Sequence, residues 1–154
     1  MSSQINLVVD PVIRTRPRTP LSIQPDASIR DAMAALRDAC RGCLLVCHDR
    51  QILGIFTERD ALRLMAADAD FDRPVGSAMQ FHVITVKHNE PVSRAIALML
   101  RGGYRRLPVL DDTGFAVGIF TVRTLLHYIV EHFPGVVYTL PPEPHYATHL
   151  REGA

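Results

Sequence analysis

Long hydrophobic runs are missing from this chain of 154 residues. None approaches the ~18 apolar residues that a membrane span takes, so no membrane partner is expected. The stretch from Met1 to Asp10 lacks a basic cluster, and its apolar run is too short for a secretion signal; a cytoplasmic location is the expectation. Excess charge of either sign is also absent. A formal net charge of +1 provides no bulk attraction toward nucleic acid or an acidic membrane surface. Cysteine is scarce: Cys40, Cys43 and Cys47 form an odd, local set, which is not a disulfide framework. Strand alternation would put Cys43 and Cys47 on one face and His48 on the other, so the group does not converge on a metal. These cysteines read as small apolar core residues.

Signatures of catalysis are equally lacking. There is no Gly-rich phosphate loop, no dinucleotide fingerprint and no serine in a nucleophile elbow. His145 and His149 have helical ligand spacing, but they lack the glutamate of the protease motif and follow a run of prolines. Asp68, Asp70 and Asp72 read as a solvated connector. The expectation is a protein that is not an enzyme, with no metal and no required cofactor.

What the chain does have is a repeat. Gly54-Ile55-Phe56-Thr57 returns as Gly118-Ile119-Phe120-Thr121, and a shift of 63 places pairs Ala32 with Ala95, Leu44 with Leu107, Val46 with Val109 and Asp49 with Asp112. One residue inserted after Asp112 brings the two Gly-Ile-Phe-Thr runs into line. Two copies of one unit of about 60 residues follow, each too small to bury a comfortable core alone. A hydrophobic share of 47% and a charged share of 21% suit a globular pair that shares its core.

Local patterns place the elements. Leu21–Ile23 reads as a short strand, Ser28 as the cap of a helix whose stripe is Ile29, Ala32, Met33 and Leu36, and Cys43–Cys47 with Ile52–Phe56 as a hairpin. Thr57 caps a second helix through about Ala67. In the second copy Val83–Val86 is the short strand, and Pro91 opens a helix that Gly102-Gly103 stops. Arg106–Leu110 and Ala116–Phe120 form the hairpin, and a last helix runs from Val122 to His132. The predicted order is β-α-β-β-α, twice. The segments are an arm over 1–19, units over 20–67 and 83–133, a connector over 68–82, and a Pro/His-rich tail over 134–154.

Thr57 stands where a strand becomes a helix, so free N–H groups and the helix dipole favour a phosphate there. Asp60, one turn on, can accept hydrogen bonds from two ribose hydroxyls. Arg105 or Arg106 would neutralise a phosphate. Helix capping is the plain structural role for Thr57 and Asp60. Because Thr121 repeats the cap while Thr124 drops the acid, capping explains Thr57 better than Asp60.

Over about residues 8–133 this pattern resembles the paired cystathionine-β-synthase (CBS) domains, or Bateman modules. The resemblance rests on the element order, on the motif Gly-hydrophobic-hydrophobic-Thr-x-x-Asp at Gly54, Thr57 and Asp60, and on the basic pair before Leu107-Pro108-Val109. It implies an α+β fold of two β-α-β-β-α units, related by a pseudo-two-fold and packed sheet to sheet with helices outside. It further implies one ligand cleft built from Thr57, Arg59, Asp60, Ile84, Thr85, Arg105, Arg106 and Pro108. The second cleft would use Leu21, Ser22, Cys43, Leu45, Thr121, Arg123 and Thr124. There Thr124 replaces the acid and Gly42-Cys43 replace the arginines, so that cleft is expected to lose its phosphate-binding charge and be degenerate.

The function implied is a non-catalytic sensor of an adenine nucleotide (AMP, ADP or ATP) that signals through domain or dimer rearrangement. Its partners would be an adenosine-containing small molecule, a second copy in a homodimer, and an effector protein. Leu62, Leu64 and Met65 or Leu125, Tyr128 and Ile129 are the faces expected to meet the second copy. The alternative is a ligand-free dimerisation scaffold. Single-stranded nucleic acid binding through Arg14, Arg16 and Arg18 lacks the interleaved aromatics that stacking needs.

Overall fold

A computed structural model of the chain describes residues 5–132. The C-terminal tail, with the His145 and His149 spacing, lies outside the described residues. The first copy contains β1 (Ser22–Ile23), α1 (Ile29–Asp38), β2 (Cys43–His48), β3 (Gln51–Thr57) and α2 (Glu58–Ala66). The second contains β4 (Val86–Lys87), α3 (Val92–Gly102), β5 (Arg106–Leu110), β6 (Ala116–Thr121) and α4 (Val122–His132). Each copy forms a three-stranded sheet, with a parallel pair followed by an antiparallel hairpin. The β-α-β-β-α order is thus realised twice, and the fold is α+β.

The helices form where capping and apolar spacing agree. Ser28 accepts the Asp31 amide at 3.0 Å, and Ile29, Ala32 and Leu36 bury one face of α1. In α3, Val92, Ala95 and Met99 do the same, and Gly103 ends the helix at φ 65°, where a left-handed residue suits glycine. Strand alternation then divides the apolar side chains between two layers. Leu44, Val46 and Phe56 face the helices of the first copy, as Leu107, Val109 and Phe120 face those of the second. Cys43, Leu45 and Ile119 meet between the sheets, with Cys47 and Ile55 packed against them. Cys43 is a buried core residue and Cys47 is half-buried beside it, and burial pushes both thiols up from their ordinary range, whereas Cys40, in the turn that follows α1, is exposed and not the core residue expected.

One strand starts later than its sequence suggests. Val83–Val86 reads as β4, yet the ladder begins at Val86. The pairing itself keeps the repeat: Ile23 lies opposite Val46, and Val86 opposite Val109. The reason is that Gln80 is already paired with Ile55 of the first copy, exchanging N–H···O bonds of 2.9 and 3.0 Å. The chain must cross from one sheet to the other over residues 81–85 before it can join β5.

The same exchange occurs at the other end. Arg18, ahead of β1, pairs with Ile119 of the second copy through bonds of 2.8 and 3.2 Å. Further upstream, a 3-10 turn at Val12–Thr15 buries Val12 in the second copy's core. Its counterpart, Val75–Ser77, buries Val75 in the first copy's core. Each segment therefore packs on the opposite copy before entering its own. The crossings explain two glycines: a Cβ at Gly54 would meet Met79 and the Gln80 carbonyl, and one at Gly118 would meet Pro17.

On the outer surface, Leu62 and Met65 of α2 and Val122, Leu126 and Val130 of α4 are exposed. This corrects the expected helix faces. Leu64 and Leu125 pack against the two cores, and Tyr128 is buried with its hydroxyl donating to Asp10 at 2.9 Å.

Candidate functional site

The cleft at the start of α2 is organised by a reciprocal cap. The Thr57 amide and hydroxyl donate to Asp60 Oδ2 at 2.9 and 2.7 Å, and the Asp60 amide donates to Thr57 Oγ1 at 3.4 Å. The Gln80 side-chain amide donates to Asp60 Oδ1 at 3.0 Å, and Arg63 stands 3.9 Å from the same oxygen. Asp60 is only 6% exposed, yet it borders a cavity of about 290 Å³. Its carboxylate points toward the segment that leads into the second copy, not out to solvent.

That cavity brings together Thr57, Arg59, Asp60, Ile84, Arg105 and Arg106. Thr85 lines a different cavity with Phe81 and Phe115, and Pro108 is buried on β5, opposite Ile119. Val83, read with Ile84 as a flat apolar wall, also lines it, and residues that sequence reasoning missed complete the walls: Ile55, Arg63, Gln80, His82, Gly103 and Tyr104. Arg63 was findable, since i+3 from Asp60 shares its helix face. Gln80 and His82 carried no local signal, because only the crossing between sheets brings them here.

The two arginines of the basic pair differ. Among the described residues Arg105 has no carboxylate within salt-bridge reach, whereas the Arg106 guanidinium lies 3.6 Å from Glu58. It also lies over Gly42, in space that a Cβ there would take. Arg106 consequently borders both clefts.

The pseudo-equivalent cleft at the start of α4 differs in two ways from its expectation. First, Thr124 keeps the cap without the acid. Its hydroxyl accepts the Thr121 amide at 2.8 Å and donates to the Thr121 carbonyl at 2.7 Å. Capping therefore accounts for Asp60 as fully as for Thr57, and the missing acid is no argument that Asp60 has another task. Second, the cleft is not short of positive charge. An inner cavity of about 50 Å³ includes Leu21, Cys43, Thr121, Arg18, Arg41 and Arg106, and an outer one of about 510 Å³ includes Arg16, Arg18, Arg123 and Thr124. Ser22 is exposed on β1, and Leu45 is buried between the sheets. No group of three or more metal-ligating side chains occurs among the described residues. None of the described helices is long and apolar enough to cross a membrane.

Comparison with known proteins agrees with this architecture. The family model described as "CBS domain" matches twice, over residues 12–67 and 75–131. A 17.7 kDa protein of Acidianus ambivalens, itself uncharacterised, is 30% identical over 71% of this chain and 66% of its own length. Two further curated relatives are matched over 48% and 21% of their lengths, so the chain spans only part of the proteins it resembles. Among solved structures, a CBS domain protein of Pyrobaculum aerophilum complexed with AMP superposes with a TM-score of 0.72 at 25% identity, covering 81% of this chain and 99% of that one. The CBS domain NE2398 superposes at 0.69 with 31% identity, covering 77% of this chain and 94% of that one. With two matched units, the predicted strand order and the paired sheets all in agreement, this chain belongs to the CBS domain family.

Proposed function

We propose that the chain is a non-catalytic regulatory module that binds an adenine nucleotide (AMP, ADP or ATP) in the cleft between its two copies. The observation that carries this reading is the cavity at the start of α2. A buried carboxylate, the N-terminus of a nine-residue helix, Arg59 and Arg105 all border it. Asp60 would take the ribose hydroxyls, Arg59 and Arg105 the phosphate, and Val83 and Ile84 the flat face of the base. The AMP complex of the Pyrobaculum relative supports an adenosine ligand over other small molecules. Because one wall comes from each copy, ligand binding would favour one relative orientation of the copies. That orientation would be passed to a second copy across the exposed α2 and α4 faces, or to an effector protein.

Melting curves with AMP, ADP, ATP and adenosine test this. Ligand at one hundred times its Kd should stabilise by about 2.7 kcal/mol. With AMP and adenosine the shift should persist in Thr124→Ala and vanish in Asp60→Ala, whatever that variant's own stability. One observation favours the alternative of a ligand-free scaffold: every cap partner of Asp60 is satisfied inside the chain. Unchanged melting temperatures with all four compounds would establish it.

A further inference from the structure

The Arg14, Arg16 and Arg18 alternation is not used by the α2 cleft, and the fold separates its members. Arg14 turns back to pair with Asp10. Arg16 closes the 3-10 turn in the left-handed region at φ 51°, and the Arg18 backbone is held in its bridge to Ile119. These constraints put Arg16 and Arg18 on the wall of the outer cavity at α4, which Arg123 and His127 also line. The acid that shares this cavity is Glu131, 3.9 Å from Arg16 and itself half exposed. Among the described residues Arg18 and Arg123 have no carboxylate within 4.0 Å, so the cavity holds more positive charge than its acid neutralises.

The cap offers a ribose no carboxylate there. The single proton of the Thr124 hydroxyl is committed to the Thr121 carbonyl, and one of its lone pairs to the Thr121 amide. The inner space, narrowed by the Arg106 guanidinium over Gly42, is about 50 Å³, too small for a purine. From these observations we infer that the second cleft is a phosphate-anion site, built by Arg16, Arg18 and Arg123, that takes a pyrophosphate group without requiring a nucleoside. Guanidinium groups suit that ligand because their paired N–H donors match phosphoryl oxygens. The inference does not depend on nucleotide binding at Asp60.

Titration calorimetry of inorganic pyrophosphate into the full chain tests it. Arg123→Gln, on an exposed first turn of α4, should weaken binding at least tenfold, and Arg18→Gln should do the same. Arg59→Gln with Arg105→Gln, which strips the α2 cleft, should leave it within twofold. Adenosine should not compete. Competition by ATP would identify a nucleotide's phosphate tail as a source of the anion, and its absence would identify the free anion; either upholds the site. Absence of pyrophosphate binding, or loss of it only in the Arg59/Arg105 variant, would overturn the inference. Failure of the Asp60 reading shows separately, as loss of AMP binding with pyrophosphate binding intact.

Discussion

Asp60 and Gln80 show how much one hydrogen bond can decide. A carboxylate has about four acceptor sites, and Thr57 and Gln80 use three of them in the free chain. A ribose diol would therefore compete with the Gln80 amide for Oδ1. Gln80→Leu should tighten AMP binding about fivefold, the equivalent of a net hydrogen bond of about 1 kcal/mol, read by titration calorimetry. Asp10 is the other residue whose chemistry is set by its neighbours. The Asn6 backbone amide holds its carboxyl below the usual range, against desolvation, with Tyr128 and Arg14 adding to the effect. A depressed folded value means this stabilisation is present above the unfolded value of about 3.9 and lost as pH falls through the folded one. Melting temperature should therefore fall more steeply below about pH 4 in the native chain than in Asp10→Asn. At this scale the sequence was partly legible: Thr57, Asp60 and Arg105 announced themselves by motif, whereas Gln80 and Arg18 could be placed only by the crossings.

The elements read well wherever pattern and cap coincide. Ser28 and Thr57 start helices at the residues their side chains suggest, and the Cys43–Cys47 run is a strand because both of its faces are covered. β4 was misplaced for a physical reason: Val83-Ile84-Thr85 has strand composition, but those residues span the gap between sheets. Tertiary connection overrode local propensity. The motif glycine has a similar explanation. Gly54 sits where the Gln80 carbonyl would lie 2.8 Å from any Cβ, so its smallness serves the crossing segment first. Gly54→Ala should cost about 1–3 kcal/mol in denaturant unfolding, through forced separation of β3 from the crossing chain. Because the Gln80 amide rides on that backbone, the same variant should also alter AMP affinity.

In the whole molecule, each half is completed by a turn that belongs to the other half's lead-in. Val12 fills the second core and Val75 the first, so neither copy has its full apolar interior without its neighbour. Removal of residues 1–12 should destabilise the second copy in particular, seen as faster amide exchange in β5 and β6 than in β2 and β3. The exposed apolar residues Leu62 and Met65 of α2 and Val122, Leu126 and Val130 of α4 are the ones proposed to pair with a second copy. Leu62→Lys with Leu126→Lys should shift the mass measured by light scattering from dimer to monomer. The repeat made this duplicated architecture legible in advance. The exchange of lead-in segments was not, because the register of 63 shows that the halves correspond but not which half each segment touches. The affinity of AMP for the native chain and for Asp60→Asn, by titration calorimetry, is the decisive comparison. A ribose gripped by Asp60 predicts at least a tenfold loss in the variant, about 1.4 kcal/mol; equal affinities, with the fold intact, would contradict it.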